Sequence, residues 1–180
     1  MDNVEDHLEY EKALTFLVEN LRKSGNNPKP VGIHSVLVAT RLYRHSYKKS
    51  VVVAALLHDV IEDTAVTIEE VKEKFGEPVA RLIKAMTRNT RHLSFDEKYK
   101  SFTKHMEELL EAGTDALAIA ASDFIENSYF YKRGDSKELL EYLIWKYEKF
   151  MKDSKTLLSD SPLQSELEYA YKDNIVKSLN

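Results

Sequence analysis

Apolar residues recur about every 3.6 positions along most of the chain, the spacing that places them on one face of an α-helix. The first amphipathic segment covers residues 8–22, and a buried, almost wholly apolar segment ends near Ile61. Thr67 and Glu70 form a capping box for a short helix that ends near Gly76. The other periodic segments predict helices at about 33–43, 78–86, 95–112, 114–131, 135–152 and 161–178. The hydrophobic pattern therefore predicts an all-α protein.

The chain of 180 residues contains only five Gly and four Pro, and it shows no internal repeat, flexible linker or low-complexity tract. Breaks between the predicted helices fall at the polar segment 22–32 and at Gly113 and Gly134. The length suits one ordinary domain with a hydrophobic core of its own. We therefore expect a single domain over residues 1–180.

Composition and charge exclude several classes of protein. The sequence has no Cys, which excludes disulfides and thiolate zinc sites. A net charge of −4 argues against nucleic-acid binding, because phosphate contacts require a basic surface. The N-terminal segment MDNVEDHLEYEK lacks the features of a signal peptide, and no apolar run approaches the roughly 20 residues of a membrane span. We expect a cytoplasmic protein with no membrane partner.

The segment 51–64, VVVAALLHDVIEDT, places His58 and Asp59 directly after seven apolar residues. Burying unpaired charges there would cost on the order of several kcal/mol. A second histidine, His34, lies 24 residues upstream at the start of another apolar helix. A lone histidine on such a face is most often a hydrogen-bonded core residue. A His–Asp pair with a second His is instead typical of a metal site, since imidazole and carboxylate together bind divalent ions.

A fourth ligand is expected from another buried helix. In the segment ALAIAASDFIENSYFY, Asp123 is the first charged residue after an apolar stretch, and Glu126 and Asn127 share its helical face. The alternative is a helix-interior carboxylate paired with Arg or Lys, although no cation lies within four residues of Asp123 in the sequence. Two His and two Asp around one divalent ion would compensate the buried charges.

The order His34, His58–Asp59, Asp123 resembles that of the HD superfamily of metal-dependent phosphohydrolases. The segment 54–87, AALLHDVIEDTAVTIEEVKEKFGEPVARLIKAMT, is similar to the alarmone-hydrolase branch, the hydrolase domain of RelA/SpoT proteins and their small stand-alone relatives. FDEKYKSFTKH and ASDFIENS resemble later blocks of that branch. The resemblance covers about residues 8–131. It implies a compact multi-helix HD domain with a buried metal site, with further helices over about 132–180.

The resemblance also implies roles for matching residues. The family's metal ligands, which commonly hold Mn²⁺, correspond to His34, His58, Asp59 and Asp123. Glu62 and Asp63 correspond to residues that handle proton transfer around the attacking water. Glu62 lies one turn past His58, where a carboxylate can act as a general base. The alternative for both acids is a solvated helix end or, for Asp63, a cap of the following turn.

Four residues are implied as substrate contacts. Arg22 and Lys23 match a basic pair that meets base and phosphate in the family, and Asn127 matches a substrate-contacting Asn. Arg88, with Arg91 beyond it, lies where the family approaches its phosphates. For these basic residues the alternative is a solvated face.

The chain departs from the family pattern around the nucleotide pocket. The loop before His34 is longer, a tyrosine of that loop is missing, and Ser35 follows His34 where the family has Pro. The family motif LADRLHN is ASDFIEN here, so Phe124 and Glu126 replace Arg and His. The metal and hydrolytic residues therefore match the family more closely than the nucleotide pocket does.

These features predict a metal-dependent phosphohydrolase that acts on a nucleotide, with guanosine tetra- or pentaphosphate (ppGpp-type alarmones) cleaved at the 3′ pyrophosphate. The altered pocket leaves open another nucleotide, NADPH or a nucleoside 5′-phosphate. A third interpretation is a non-catalytic sensor that binds nucleotide or metal. The presence of both Glu62 and Asp63 argues against the sensor, because binding alone would not require both acids.

Aromatic residues recur at helical spacing after Phe130. Such a stripe is typical of a core or of an oligomer seam rather than a cofactor site. We therefore expect either core packing or homo-oligomerisation through the C-terminal helices for Tyr142, Trp145, Tyr147, Phe150, Tyr169 and Tyr171.

Overall fold

The computed structural model describes residues 4–24, 30–88, 90, 92–131 and 136–177, and these contain helices but no strand. The elements are α1 (Val4–Ser24), α2 (Val31–Arg44), α3 (Lys49–Leu56), α4 (Val60–Asp63), α5 (Ile68–Phe75), α6 (Glu77–Met86), α7 (Phe95–Ala112), α8 (Thr114–Ser128), α9 (Lys137–Ser154), α10 (Pro162–Ala170) and a π-helical segment, Tyr171–Val176. The prediction of an all-α fold is confirmed.

The chain divides into two compact units. The first unit ends at Arg88 and contains α1–α6, and the second unit contains α7–α10 and the π-helical segment. The expectation of one domain over residues 1–180 stays a prediction.

In the first unit, α3 forms the centre of the packing. All six residues from Val51 to Leu56 are buried, and α1, α2 and α6 pack against this helix. An apolar helix surrounded on several sides needs no polar face, which explains why the sequence of α3 lacks amphipathic alternation. This packing fixes the ends of α2 and α3, from which the candidate metal ligands project.

The predicted buried helix ending near Ile61 was wrong in one respect, because the chain breaks it in two. After Leu56 the backbone makes a turn over residues 57–59, and α4 starts at Val60. The N–H of Leu57 bonds to the carbonyls of both Val53 and Ala54, at 3.2 and 3.1 Å, as the helix tightens. The break leaves His58 and Asp59 in a turn rather than on a regular helix face.

Two capping boxes begin helices of the two units. The predicted box of Thr67 and Glu70 is confirmed at the start of α5, and Ser94 and Glu97 form a second box at the start of α7. Between α5 and α6, Gly76 has a φ of 86°, a left-handed conformation that a residue with a Cβ rarely adopts.

The second unit is built around α8, which packs against α7, α10 and the π-helical segment. Residues 116–122 are all buried. The aromatic stripe packs largely inside this unit: Tyr142, Tyr147 and Phe150 are buried, and Phe124 stacks on Phe150 with ring centres 4.6 Å apart. Core packing is therefore the role of these three aromatic residues.

Two of the later predicted helices differ in their ends. The helix predicted at 114–131 ends at Ser128, and the helix predicted at 161–178 changes to π-helical geometry after Ala170. The Asn174 amide, in the π-helical segment, donates to the Ser128 hydroxyl at 2.8 Å, so this segment contacts the end of α8. Within the described residues, none of the helices has both the length and the apolar character needed to cross a membrane.

Candidate metal centre

Three of the four predicted metal ligands come together in the first unit. One ligand atom from each of His34, His58 and Asp59 lies within 4.8 Å of the other two. His34 lies in the first turn of α2, and its ring centre is 5.3 Å from that of His58. The exposed fractions of the two histidines are only 5% and 2%. The packing of α2 on α3 thus places two buried imidazoles beside one carboxylate.

A hydrogen bond orients the ring of His58. Its Nδ1 lies 2.8 Å from the carbonyl oxygen of Ala55, which has no proton to donate, so Nδ1 carries the hydrogen. The neutral ring then presents the lone pair of Nε2, which lies 3.3 Å from Oδ1 of Asp59. Metal-binding histidines are commonly oriented in this way, by a carbonyl that accepts from the ring nitrogen opposite the metal.

The donor set fits a divalent metal ion. Two ligands that bind one ion at about 2.1 Å are about 3.0 to 4.2 Å apart, so a group within 4.8 Å would close on an ion with side-chain shifts on the order of 1 Å. Two imidazole nitrogens and a carboxylate oxygen suit hard or borderline divalent ions such as Mn²⁺, Fe²⁺ and Zn²⁺. Nε2 of His58 lies 3.3 Å from Oδ1 of Asp59, so the two atoms are close enough to bind the same ion.

Glu62, predicted as a general base, lies in α4 and is partly buried. Its Oε1 accepts a 2.6 Å hydrogen bond from the backbone N–H of Arg88, which follows the end of α6. The carboxylate is thereby held by a second element of the same unit. Asp63, the next residue, is also partly buried, and its backbone N–H bonds to the carbonyl of Asp59 at 3.0 Å.

Thr64 ends the motif for a local structural reason. Its hydroxyl donates to the carbonyl of Val60 and accepts from the N–H of Val66 at 3.1 Å. These bonds close the last turn of α4 and direct the chain towards α5. The short helix that carries Glu62 and Asp63 is therefore fixed at both ends, by the turn at Asp59 and by Thr64.

Asp123, the fourth predicted ligand, lies on α8 in the second unit and is partly buried. The side-chain amide of Asn127, one helical turn further on, donates to Oδ1 of Asp123 at 2.7 Å. This bond orients the carboxylate, and it gives Asn127 a local partner that the sequence did not predict. The assignment of Asp123 to the metal site stays a prediction.

The predicted substrate-binding cations lie in two places in the first unit. Arg22 and Lys23 are exposed in the last turn of α1, and Arg88 is half-buried just after α6. The backbone N–H of Arg88 donates to Glu62, and this contact does not involve the Arg88 side chain. Arg91 lies outside the described residues. The substrate contacts at Arg22, Lys23, Arg88 and Asn127 stay predictions.

Sequence reasoning did not predict the burial of two residues near Asp123. Glu126, noted for sharing the helical face of Asp123 and as a departure from the family motif, is a buried carboxylate with an exposed fraction of 7%. Tyr131 is buried beyond the end of α8; burial raises the pKa of its hydroxyl well above the usual value, and the negative charge of Asp123 raises it further. The shared helical face with Asp123 was the signal for Glu126, but Tyr131 lies after α8 ends, where periodicity gives no signal.

Comparison with known proteins adds to this geometry. The family described as HD domain matches residues 13–123. A guanosine-3′,5′-bis(diphosphate) 3′-pyrophosphohydrolase from Aquifex aeolicus is 43% identical over 79 residues, which cover 44% of this chain and 11% of the relative. The bifunctional (p)ppGpp synthase/hydrolase SpoT of Escherichia coli is 33% identical over 91 residues, 51% of this chain and 12% of the relative. The chain thus spans about a tenth of the length of these two relatives.

Two solved structures have a similar fold. One is described as a metazoan orthologue of SpoT that hydrolyses ppGpp; it has a TM-score of 0.77, 19% identity and 98% coverage of both chains. The other is a crystal structure of a Listeria monocytogenes protein, with a TM-score of 0.66, 26% identity and coverage of 77% of this chain and 91% of that chain. At 19% identity the first likeness concerns the fold alone.

Proposed function

The chain belongs to the HD domain family, and from this membership we propose that it is a metal-dependent phosphohydrolase that removes pyrophosphate from the 3′ position of guanosine 3′,5′-bis(diphosphate)-type alarmones. The observation that carries the proposal is the convergence of His34, His58 and Asp59, followed one turn later by Glu62. The similarity of part of this chain to named alarmone pyrophosphohydrolases supports the substrate class.

We assign the metal to His34, His58 and Asp59, with Asp123 as the fourth ligand, and we propose Mn²⁺ as the ion. A bound divalent ion supplies Lewis acidity towards the phosphoryl group and the attacking water. The residues of the chain supply orientation: Ala55 directs the His58 ring through its carbonyl, and Asn127 directs the Asp123 carboxylate through its amide.

Proton transfer is assigned to Glu62 and Asp63. Water that attacks phosphorus must lose a proton, and the departing 3′ oxygen must gain one. We propose that Glu62 accepts the first proton, because its carboxylate is held in place through the Arg88 N–H. Asp63, next in the chain, would then supply or relay the second proton.

Substrate recognition is assigned to cationic and amide groups. Arg22 and Lys23 would meet the guanine base and its phosphates, and Arg88 would lie near the phosphates. Asn127 would contact the ribose-phosphate side while it also holds Asp123. A nucleotide of this kind is an intracellular metabolite, which is why we propose a cytoplasmic location.

A panel of nucleotides tests the proposal. The Mn²⁺-loaded protein should release pyrophosphate from ppGpp, measured by chromatography of the guanine nucleotide together with a pyrophosphate assay. Lys23→Ala should raise KM more than it lowers kcat, the pattern of lost ground-state binding. Activity confined to NADPH or nucleoside 5′-phosphates would reject the alarmone and keep the phosphohydrolase. No turnover of the whole panel, with metal content verified, would favour a non-catalytic nucleotide or metal sensor.

A further inference from the structure

Tyr131, which follows the end of α8, has a buried hydroxyl that the proposed mechanism does not use. Its exposed fraction is 5%, and its ring packs edge-on against the ring of Tyr147, with ring centres 6.3 Å apart. Within the described residues, the Tyr131 hydroxyl has no hydrogen-bond partner. Buried hydroxyls are nearly always hydrogen-bonded, because a buried donor without a partner costs free energy. Phenylalanine would fill the same space without this cost, so packing alone does not account for the hydroxyl.

The neighbouring buried tyrosine shows the usual arrangement. Tyr147 is fully buried in α9, and its hydroxyl donates to the carbonyl of Leu167 in α10 at 3.0 Å. This bond satisfies the hydroxyl and joins two helices of the second unit. Tyr131 and Tyr147 therefore share one aromatic core but differ in what their hydroxyls contact, which makes them a matched pair for experiment.

The carboxylate that acts on the Tyr131 hydroxyl is that of Asp123. Asp123, Asn127 and Tyr131 follow one another at intervals of four residues, a spacing that places side chains along one side of a helix. The chain keeps turning after α8 ends, since the N–H of Phe130 donates to the carbonyl of Asn127 at 2.9 Å. Burial raises the pKa of Tyr131 well above its usual value, and the negative charge of Asp123 raises it further. The carboxylate thus lies within electrostatic reach of a hydroxyl that keeps its proton.

The Asp123 carboxylate can accept more than one hydrogen bond. Its Oδ1 accepts from the Asn127 amide at 2.7 Å. A carboxylate has roughly four lone-pair sites on its two oxygens, so one amide and one metal ion do not fill them. Carboxylates that bind metals are commonly held by hydrogen bonds from neighbouring groups. Where a buried donor and acceptor are too far apart for a direct bond, an ordered water molecule commonly joins them.

We propose that Tyr131 is a positioning residue for Asp123: its hydroxyl donates through one bridging water molecule to the Asp123 carboxylate and holds that carboxylate ready to bind the metal ion. The role rests on the proposed assignment of Asp123 as the fourth metal ligand. A carboxylate that is already oriented loses less conformational freedom when it binds an ion, so the hydroxyl should strengthen metal binding.

Removing each tyrosine hydroxyl in turn tests the role of Tyr131. Tyr131→Phe keeps the ring, so the circular dichroism spectrum should be unchanged. The Mn²⁺ affinity of the full chain, measured by competition with a chelator, should fall about tenfold or more, as for other groups that orient a metal ligand. Tyr147→Phe is the matched control. It removes the bond to Leu167 and should lower the Tm without changing the Mn²⁺ affinity.

A double variant separates positioning from packing. In Asp123→Ala the three remaining ligands should leave weak Mn²⁺ binding, and adding Tyr131→Phe should weaken it no further, because the hydroxyl acts through Asp123. A further loss in the double variant, or an equal loss in Tyr147→Phe, would assign the effect to packing and overturn the inference. Unchanged affinity in Tyr131→Phe, with a clear loss in Asp123→Ala, would overturn this inference alone. Unchanged affinity in Asp123→Ala would overturn the proposed ligand, and the role of Tyr131 with it.

Discussion

The chain twice places an acid close to the end of a buried apolar run, and the two places have different structures. In the first unit the run ends at Leu57, the helix breaks, and His58 and Asp59 occupy a turn. In the second unit the run ends at Ala121, and α8 continues unbroken through Asp123 to Ser128. Asp59 lies beside two histidines from different elements, whereas Asp123 is oriented by Asn127 from its own helix. A helix break allows side chains to converge, and a continuous helix orients one side chain by its neighbours.

The break also solves a hydrogen-bonding problem. The last carbonyl groups of a helix have no intrahelical partner, and a buried carbonyl group of this kind must accept a hydrogen bond from another donor. At the end of α3 the ring of His58 supplies that donor to Ala55, and the same bond aims Nε2 at Asp59. The His58 side chain therefore donates to a carbonyl at the end of α3 and also presents a nitrogen that can bind a metal. In α8 no such conflict arises, because the backbone bonds continue past Asp123.

The largest expected effect comes from removing the ligand at the break. His58→Ala should abolish stoichiometric metal binding, measured by elemental analysis. It should also lower turnover by more than the roughly 10⁴-fold that loss of a general base alone produces. Because the bound ion stabilises the folded state, a chelator should lower the Tm of the unaltered protein. The same chelator should leave the Tm of the His58→Ala variant unchanged.

Another buried histidine provides the control for that variant. His105, on α7, has an exposed fraction of 6% and lies 3.6 Å from Glu108. His105→Gln should keep the full metal content. Equal metal loss in both variants would mean that burial of histidine, rather than the cluster at the break, explains the effect of His58→Ala.

The next largest effect is expected at Glu62, where a substitution tests catalysis separately from metal binding. Glu62→Gln keeps an oxygen that can accept the Arg88 N–H bond but removes the base. Turnover should fall by about 10²–10⁴-fold while metal content and Tm stay unchanged. Unchanged turnover would show that Glu62 serves only to join α4 to the end of α6, and Asp63 would then be the residue to test.

A smaller effect is expected at the unbroken helix. Asn127→Ala removes the amide that holds Oδ1 of Asp123, and loss of such an orienting partner typically weakens metal affinity by about 10–100-fold. Competition with a chelator would measure the change, with Asp123→Ala as the reference for complete loss of that ligand. If Asp123→Ala binds metal as tightly as the unaltered protein, α8 contributes no ligand and the two acids differ in role as well as in structure.

The sequence predicted the elements better than it predicted the break. The 3.6-residue period located α7 at its observed bounds and placed α2 and α6 closely, because these helices alternate apolar and polar faces. The capping box placed the start of α5. The segment 51–61 is apolar except for His58 and Asp59, so its pattern could not distinguish one helix from two. The Arg88 contact to Glu62 spans 26 residues, and a contact between elements leaves no mark in local periodicity. His34, His58 and Asp59 were predictable because buried titratable groups are uncommon in apolar segments.

The smallest expected effect concerns the capping box, a feature that both units contain. The capping boxes of α5 and α7 lower the pKa of Glu70, mainly through its bond from the Thr67 backbone, and of Glu97, mainly through its bond with the Ser94 side chain. A carboxyl whose folded pKa is depressed stabilises the fold above its unfolded pKa, about 4.5, and this contribution is lost as the pH falls through the folded value. Thr67→Ala and Ser94→Ala should therefore each lower Tm by roughly 2–4 °C at pH 7. The deficit should shrink as the pH falls below about 4.5 and through the lowered pKa values of Glu70 and Glu97, and it should shrink more for Ser94→Ala, because Thr67→Ala keeps the backbone N–H that mainly lowers the pKa of Glu70. A deficit that stays constant from pH 7 to pH 3 would assign the effect to the Thr67 and Ser94 hydroxyls alone.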